Sequence, residues 1–353
     1  MKNILLVYRA QAFKSEIDVH LKTYKDDKVV LVVEDIIQQN IVNYLTKDYT
    51  IVNIFPPTFN IITLEEFLNG ELNMKFDAVV ANPPYQIKVG PNKTQPIWNK
   101  IVEQSLKVLK DGGTMTMIHP IGWRNISGDY RSVFDLYRSN NITQIDMHDV
   151  KVGEEVFNAS TPFDIVYITK EPYQNKTELN FMDGTQKVVD ITDLGFIPNS
   201  MFDKVMGLVA MPDEETVEVI KDSTYHTQRK HMSPEKVGDF KYPCCYSILT
   251  DGTINFWYSN IKKNHFNKPK VILGYGANPT SANDENGNYG VTQYCFGIVD
   301  EVKNLQLIQK ALHSKKFQKI SNESVKYTAT QGHPLIHPNI VSSFRKDFWK
   351  DFV

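Results

Sequence analysis

The 353-residue sequence contains no apolar run of about 18 residues and no signal-peptide pattern behind Met1, the marks of a spanning helix or an exported chain. A cytoplasmic protein with no membrane partner is the expectation. Cysteine is scarce: Cys244, Cys245 and Cys295 make neither a C-x-x-C pair nor an even framework. That excludes a disulfide scaffold and favours buried free thiols. His226, His231, His333 and His337 match no zinc-ligand spacing, so no metal is expected. Internal repeats and low-complexity segments are absent too. What remains is ordinary globular material, 41% hydrophobic and 23% charged, long enough for two domains with separate cores.

A net charge of -2 hides an asymmetry. Residues 221–353 hold 18 Lys and Arg against 11 Asp and Glu, a balance of +7, which leaves -9 for residues 1–220. Such a split suits a catalytic half joined to a half that meets phosphates, although basic runs are also ordinary solvated faces.

The first 170 residues alternate apolar runs with helical patterns, as a doubly wound parallel sheet requires. "NILLVYRA" (3–10) and "KVVLVVED" (28–35) read as strands with a helix around residues 13–24 between them. "IIQQNIVNYLTK" has helical spacing, and "YTIVNIF" (49–55) reads as the third strand. "FDAVVAN" reads as the fourth. "PIWNKIVEQSLKVLKDGG" is helical up to Gly112-Gly113, an expected stop. "TMTMIHP" (114–120), "ITQIDMHDV" and "PFDIVYITK" supply further strands.

Chemistry concentrates in "FDAVVANPPYQ" (76–86). Phe76 to Ala81 form a run suited to a strand buried on both faces of a parallel sheet. Asn82 then stands at the strand's carboxyl edge, where open α/β sheets bind ligands. Pro83 and Pro84 keep the chain extended and leave carbonyls outside helical pairing. The Asn82 side-chain oxygen and the Pro83 carbonyl are placed to converge on one planar amine, with the Tyr85 ring able to stack on the flat system that carries it. Asn-Pro is also a common turn signal, the bland alternative.

This stretch resembles motif IV of amino-group methyltransferases, above all the DNA adenine-N6 enzymes, in which the same letters hold the amine of a flipped base; it also occurs in methyltransferases of protein glutamine. The order "DGGTMTMIHPIGW", a helix, a strand, Gly153-Glu154-x-x-Phe157 and a closing strand is similar to the segment after motif IV in the Eco57I/TaqI-like enzymes. The resemblance covers about 170 residues and implies an α/β, Rossmann-like domain that uses S-adenosylmethionine. Catalytic roles carry over to Asn82, Pro83, Pro84 and Tyr85. Glu34, ending the second strand, is placed to accept ribose hydroxyls. Glu66 and Phe67 resemble the family's Asp-Phe pair beside the cofactor adenine, with Glu in place of Asp; a plain amphipathic helix explains the same letters. One departure stands out. The family's Gly-x-Gly turn after the first strand, which lets the backbone approach the cofactor, is here Tyr8-Arg9-Ala10-Gln11-Ala12-Phe13. Either small Ala10 and Ala12 rebuild the pocket, or cofactor binding is weakened. "ILGYGANPT" (272–280) is no substitute, because Pro279 bars a following helix.

From about residue 190 the βα alternation gives way to short strand-like runs rich in aromatics, "YPCCYSILT", "INFWYSN", "VILGYGA" and "VTQYCFGIV". "DENGNYG" (284–290) reads as a hairpin turn. Lysines interleave, and Gln228, Arg229, Lys230, Lys262 and Lys263 are the candidates for DNA contact. The expected organisation is a methyltransferase-like catalytic domain over 1–175 and a mixed α+β target-recognition domain over 190–353. Double-stranded DNA is the expected partner, with a separate restriction or specificity subunit beside it. The expected reaction is methyl transfer to adenine N6; the alternatives are a methyltransferase-fold DNA-binding subunit impaired in catalysis, and a protein glutamine methyltransferase.

Overall fold

A computed structural model describes residues 2–8, 23, 28–33, 58–91, 93–125, 129–221, 223–275, 280–325 and 334–353. Ala10, Ala12, Glu34, Gly276, His333, the third strand expected at 49–55 and nearly all of the two helices expected before it lie outside these residues. The chain divides into two compact units, Met1–Ile197 and Pro198–Val353.

Among the described residues, the first unit is built on a nine-stranded sheet. Its chain order is β1 (Asn3–Tyr8), β2 (Lys28–Val33), β3 (Thr58–Thr63), β4 (Phe76–Asn82), then, after the separate hairpin β5 (Gln86–Gly90) and β6 (Lys93–Pro96), β7 (Leu109–Pro120), β8 (Asn141–His148), β9 (Phe163–Thr169), β10 (Thr177–Asn180) and β11 (Gln186–Val189). In space the order is β11-β10-β8-β9-β7-β4-β1-β2-β3. Strands β3, β2, β1, β4 and β7 run parallel, whereas β9 is antiparallel to both of its neighbours, β7 and β8. Ile4 to Val7 of β1 are fully buried, as the central place of that strand demands. The sheet's third strand is Thr58–Thr63, later in the chain than the segment expected for it. Strands β10 and β11 extend the sheet beyond residue 175, where the sequence pattern had ended.

Four helices of this unit matter for the site: α1 (Leu64–Leu68), α2 (Trp98–Val108), α3 (Arg131–Arg138) and α4 (Val150–Phe157). Helix α2 turns Trp98, Ile101, Val102, Ser105, Leu106 and Val108 inward, the 3-to-4 spacing of an amphipathic helix. It stops at Val108, before the expected Gly112-Gly113, and β7 begins at once at Leu109. Gly112 instead serves inside β7 with φ +75°, a backbone state cheap only for glycine. Helix α4 is capped by the Asp149 carboxylate, which accepts from Val152 N at 2.9 Å, and closes on Asn158 in the left-handed region.

In the second unit, the described strands β12 (Glu218–Ile220), β13 (Met232–Ser233), β14 (Tyr242–Ile248), β15 (Ile254–Ser259), β16 (Lys270–Gly274), β17 (Ser281–Asp284), β18 (Gly290–Val291) and β19 (Cys295–Val299) form two sheets, β12-β19-β16-β17 and β13-β15-β14-β18. Helices α5 (Val302–His313) and α6 (Lys315–Val325) follow, making the unit mixed α+β. Residues 284–290 are not the turn of a hairpin, since β17 pairs with β16 and β18 pairs with β14. They cross between sheets, around a buried ion pair. Lys270 Nζ lies 2.7 Å from Asp284 Oδ2, and the same carboxylate accepts from Asn288 N and Tyr289 N at 2.7 and 2.9 Å. Buried charges need such complete pairing, and Gly287, at φ +64°, supplies the tight bend. All three cysteines are buried free thiols, with Cys245 and Cys295 sulfurs 3.5 Å apart.

Candidate active site

The site begins with strand register. Tyr8 of β1 stands beside Asn82 of β4, and continuing the parallel pairing places Val33 of β2 and Thr63 of β3 on the same row. Four carboxyl ends therefore stand level. The crossover from β1 proceeds to β2 on one side, while β4 lies on the other, so this row is the topological switch point at which open α/β sheets bind ligands.

Asn82 is the last residue of β4 and only 5% exposed. Its Oδ1 is buried and has no hydrogen-bond partner among the described residues. A buried amide oxygen left without any donor costs roughly 1–3 kcal/mol, so this acceptor calls for a donor from beyond the described residues or from a bound group. Pro83 and Pro84 are buried and Tyr85 is half-buried. The Tyr85 carbonyl accepts from Ile97 N at 3.1 Å, tying the motif to the start of α2 across the exposed β5–β6 hairpin.

Behind this corner lies a buried aromatic and ionic cluster that the sequence pattern did not single out. Trp98, the first residue of α2, stacks on His119 near the end of β7, with ring centroids 4.7 Å apart and planes at 19°. His119 Nδ1 is 3.0 Å from the Pro120 carbonyl, which only accepts, so Nδ1 carries the proton. Nε2 is then free to accept from the Tyr137 hydroxyl of α3 at 2.8 Å. Burial pushes the His119 imidazole down to about 4, so the ring is neutral at pH 7. Next to it, Trp123 Nε1 donates to Asp164 Oδ2 at 2.8 Å, and Arg124 Nε lies 3.0 Å from the same oxygen. Burial raises the Asp164 carboxyl, with Arg124 and Trp123 opposing the rise. The available signal was a histidine and a Trp-Arg pair closing an apolar strand in "TMTMIHPIGWR".

The expected cofactor residues are placed unequally. Glu66 forms a capping box at the start of α1: its Oε2 accepts from Thr63 N and Oγ1 at 2.6 and 2.9 Å, while Glu66 N donates to Thr63 Oγ1 at 3.2 Å. The Thr63 backbone N–H, followed by its hydroxyl, holds the Glu66 carboxyl below its usual range. Phe67 is fully buried under the same helix. Gly153, singled out in the sequence, packs so closely that a Cβ there would come within 2.1 Å of the Thr161 carbonyl.

In the second unit, Gln228, Arg229, Lys230, Lys262 and Lys263 are all exposed, and two joined loops carry them. Lys263 N donates to the Tyr225 hydroxyl at 2.7 Å, and Asn260 N donates to the His231 carbonyl at 3.2 Å.

The sheet order, with its central parallel strands and one inserted antiparallel strand, is that of the Rossmann-like, S-adenosylmethionine-dependent methyltransferase fold. Residues 6–157 match the family model described as Eco57I restriction-modification methylase, in agreement with the resemblance read from motif IV onward. No curated protein matches the chain. Among solved structures, it is similar to the type I restriction-modification system methyltransferase subunit from Streptococcus thermophilus, at 15% identity and TM-score 0.38 over 53% of this chain and 45% of that one. It is also similar to the M protein of the type I restriction enzyme EcoKI, at 13% and 0.39 over 51% and 44%. A third similarity is to a methyltransferase homolog protein from Pyrococcus horikoshii, at 15% and 0.31 over 48% and 62%. The chain thus spans less than half of the first two proteins' length.

Proposed function

We propose that the protein is a cytoplasmic DNA methyltransferase that transfers a methyl group from S-adenosylmethionine to adenine N6. The observation that carries this reading is the buried Asn82 Oδ1, without a partner among the described residues, at the switch point of the sheet and followed by Pro-Pro-Tyr. An acceptor so placed fits an amine that arrives with its substrate. Adenine N6 in a duplex lies within the stack, so the base must be flipped out to reach it.

The chain's own residues act by position. Asn82 Oδ1 and the Pro83 carbonyl accept from the two N6 hydrogens, which keeps the nitrogen lone pair available and aims it. Tyr85 stacks on the extruded ring, and Pro84 holds the peptide in place between them. Orientation of this kind supplies most of the acceleration in bimolecular transfer. The neighbouring cluster of Trp98, His119 and Tyr137 keeps its ring neutral and fixes the α2 end that holds the Tyr85 carbonyl. S-adenosylmethionine, when bound, supplies the electrophilic methyl group. It would lie at the level carboxyl ends of β1, β2 and β3, where Glu34, directly after Val33 in the sequence, would accept from the ribose and Ala10 would leave room for the methionine end. Glu66, engaged in its cap, and the buried Phe67 would stand beside the cofactor adenine. The exposed cations of the second unit meet DNA phosphates, and a separate restriction or specificity subunit completes the system.

The test is methyl transfer to DNA with labelled cofactor and mapping of the modified base. Asn82→Ala should lower the rate by roughly a hundredfold or more while DNA affinity stays within a few-fold. Near wild-type transfer by Asn82→Ala would remove the assignment. A second reading, a DNA-binding subunit of the same fold without transfer, is favoured by the glycine-free stretch Tyr8 to Phe13. Calorimetric titration with the cofactor separates the two: no heat of binding, with or without DNA, selects the second.

A further inference from the structure

We propose that the second unit carries a stacking face for unpaired DNA bases, built from residues other than Asn82 and its motif. Only the identity of the partner, DNA, rests on the reading above. Tyr246 sits at the irregularity of β14, where the pairing with β15 shifts between Cys245 and Ser247. Its ring stacks on Trp257 of β15 with centroids 5.9 Å apart and planes at 23°. Tyr294 meets Tyr246 edge-on at 5.1 Å. Tyr294 is 48% exposed, and Tyr246 and Trp257 are half-buried. Trp257 packs on the buried cluster of Tyr225, Met232, Cys244 and Phe266 and supports Tyr246, so the ring most open to water is that of Tyr294.

The surroundings of these rings are basic. Gln293, beside Tyr294, donates through Nε2 to Thr227 Oγ1 at 2.7 Å and accepts from Thr227 N at 3.0 Å. That fastens the rings to the loop of Gln228, Arg229 and Lys230, and Tyr225 fastens this loop to Lys262 and Lys263. Residues 223–233, 242–248, 254–268 and 290–296, which build the whole face, contain no Asp or Glu. Rings for bases beside cations for phosphates are the combination by which proteins hold single strands. In a duplex the base faces are covered by their neighbours, so the cations alone would engage. The face therefore selects unpaired DNA.

Binding of the full chain to one oligonucleotide, single-stranded, as a duplex and as its RNA counterpart, tests this by anisotropy and tryptophan emission. Trp98, Trp123 and Trp349 are at most 9% exposed, so quenching on binding reports Trp257. The single-stranded DNA should bind more tightly than the duplex and quench emission, and Trp257→Phe should remove the quenching. Tyr294→Ala should weaken the single-strand complex by about five- to hundredfold, with Tyr294→Phe close to wild type. Equal affinity for single strand and duplex, or weakening by Arg229→Ala and Lys263→Ala but not by the ring variants, overturns the stacking face. Tighter binding of the RNA overturns DNA as its occupant. Asn82→Ala protein, assayed alongside, should lose methyl transfer and keep single-strand binding, so the two proposals fail separately.

Discussion

Acid should loosen the first unit through His119. The ring is buried against Trp98 and hydrogen-bonded to Tyr137, and burial holds its folded value at about 4 against an ordinary 6.5. Between these values the unfolded chain binds a proton that the folded chain refuses, so falling pH favours unfolding. The loss begins as the pH drops below about 6.5 and is complete below about 4. Its limit comes from the gap of some 2.5 units at 1.36 kcal/mol each, or about 3 kcal/mol. Urea unfolding from pH 7.5 to 4, followed by tryptophan emission, measures it, since Trp98 and Trp123 lie 4.7 and 5.7 Å from the imidazole. Carboxylates titrate in the same range, so the comparison is with His119→Phe combined with Tyr137→Phe, which removes the titrating ring without stranding the hydroxyl. The variant will be less stable at neutral pH but should lose about 3 kcal/mol less on acidification. Parallel stability curves would refute the reasoning.

Tyr85→Ala should reduce methyl transfer far more than Tyr85→Phe, because a stacked ring is worth roughly 1–3 kcal/mol; equal losses in steady-state assays would implicate the hydroxyl instead. Gly153→Ala, at an interior helical position, would gain about 1 kcal/mol from propensity alone. The contact of 2.1 Å between the added carbon and the Thr161 carbonyl should reverse that sign, since overpacking costs roughly 1–3 kcal/mol, leaving a net loss of up to about 2 kcal/mol in denaturant unfolding.

The features legible in the sequence were those set by local pattern. Buried central strands such as β1 and β4 announce themselves as continuous apolar runs, and Asn-Pro-Pro-Tyr behind one of them marked the corner where Asn82 now stands with its oxygen unpaired. The outer strands did not announce themselves. "TELN" and "QKVV" of β10 and β11 are short and partly polar, and "TFNIIT" of β3 was overshadowed by the more apolar "YTIVNIF" before it. The stop of α2 at Val108 was missed because glycines mark a change of direction wherever it falls, and here the bend lies inside the next strand. Residues 284–290 have hairpin letters, but Asp284 is committed to Lys270, a partner 14 residues back in the chain. Nor does periodicity show that His119, Tyr137 and Asp164, from three separate elements, meet in one cluster. The role of Glu66 is ambiguous for a different reason: the same Thr-x-x-Glu spacing that builds its capping box also fits a cofactor contact.

The insertion of β9 between β7 and β8 bears on the order in which the chain can assemble. Those two strands are made first, yet neither is the other's neighbour, and both must wait with open edges for residues 163–169 to arrive. Asp164 arrives with them and brings the carboxylate that Arg124 meets at 3.0 Å. The pairing of β9 with β7 and the meeting of Asp164 with Arg124 thus need the same long-range contact, which local helix formation cannot hasten. A nascent chain that stalls short of this strand leaves β7 and β8 with open edges, features that mark it for capture by its own kind or by a chaperone.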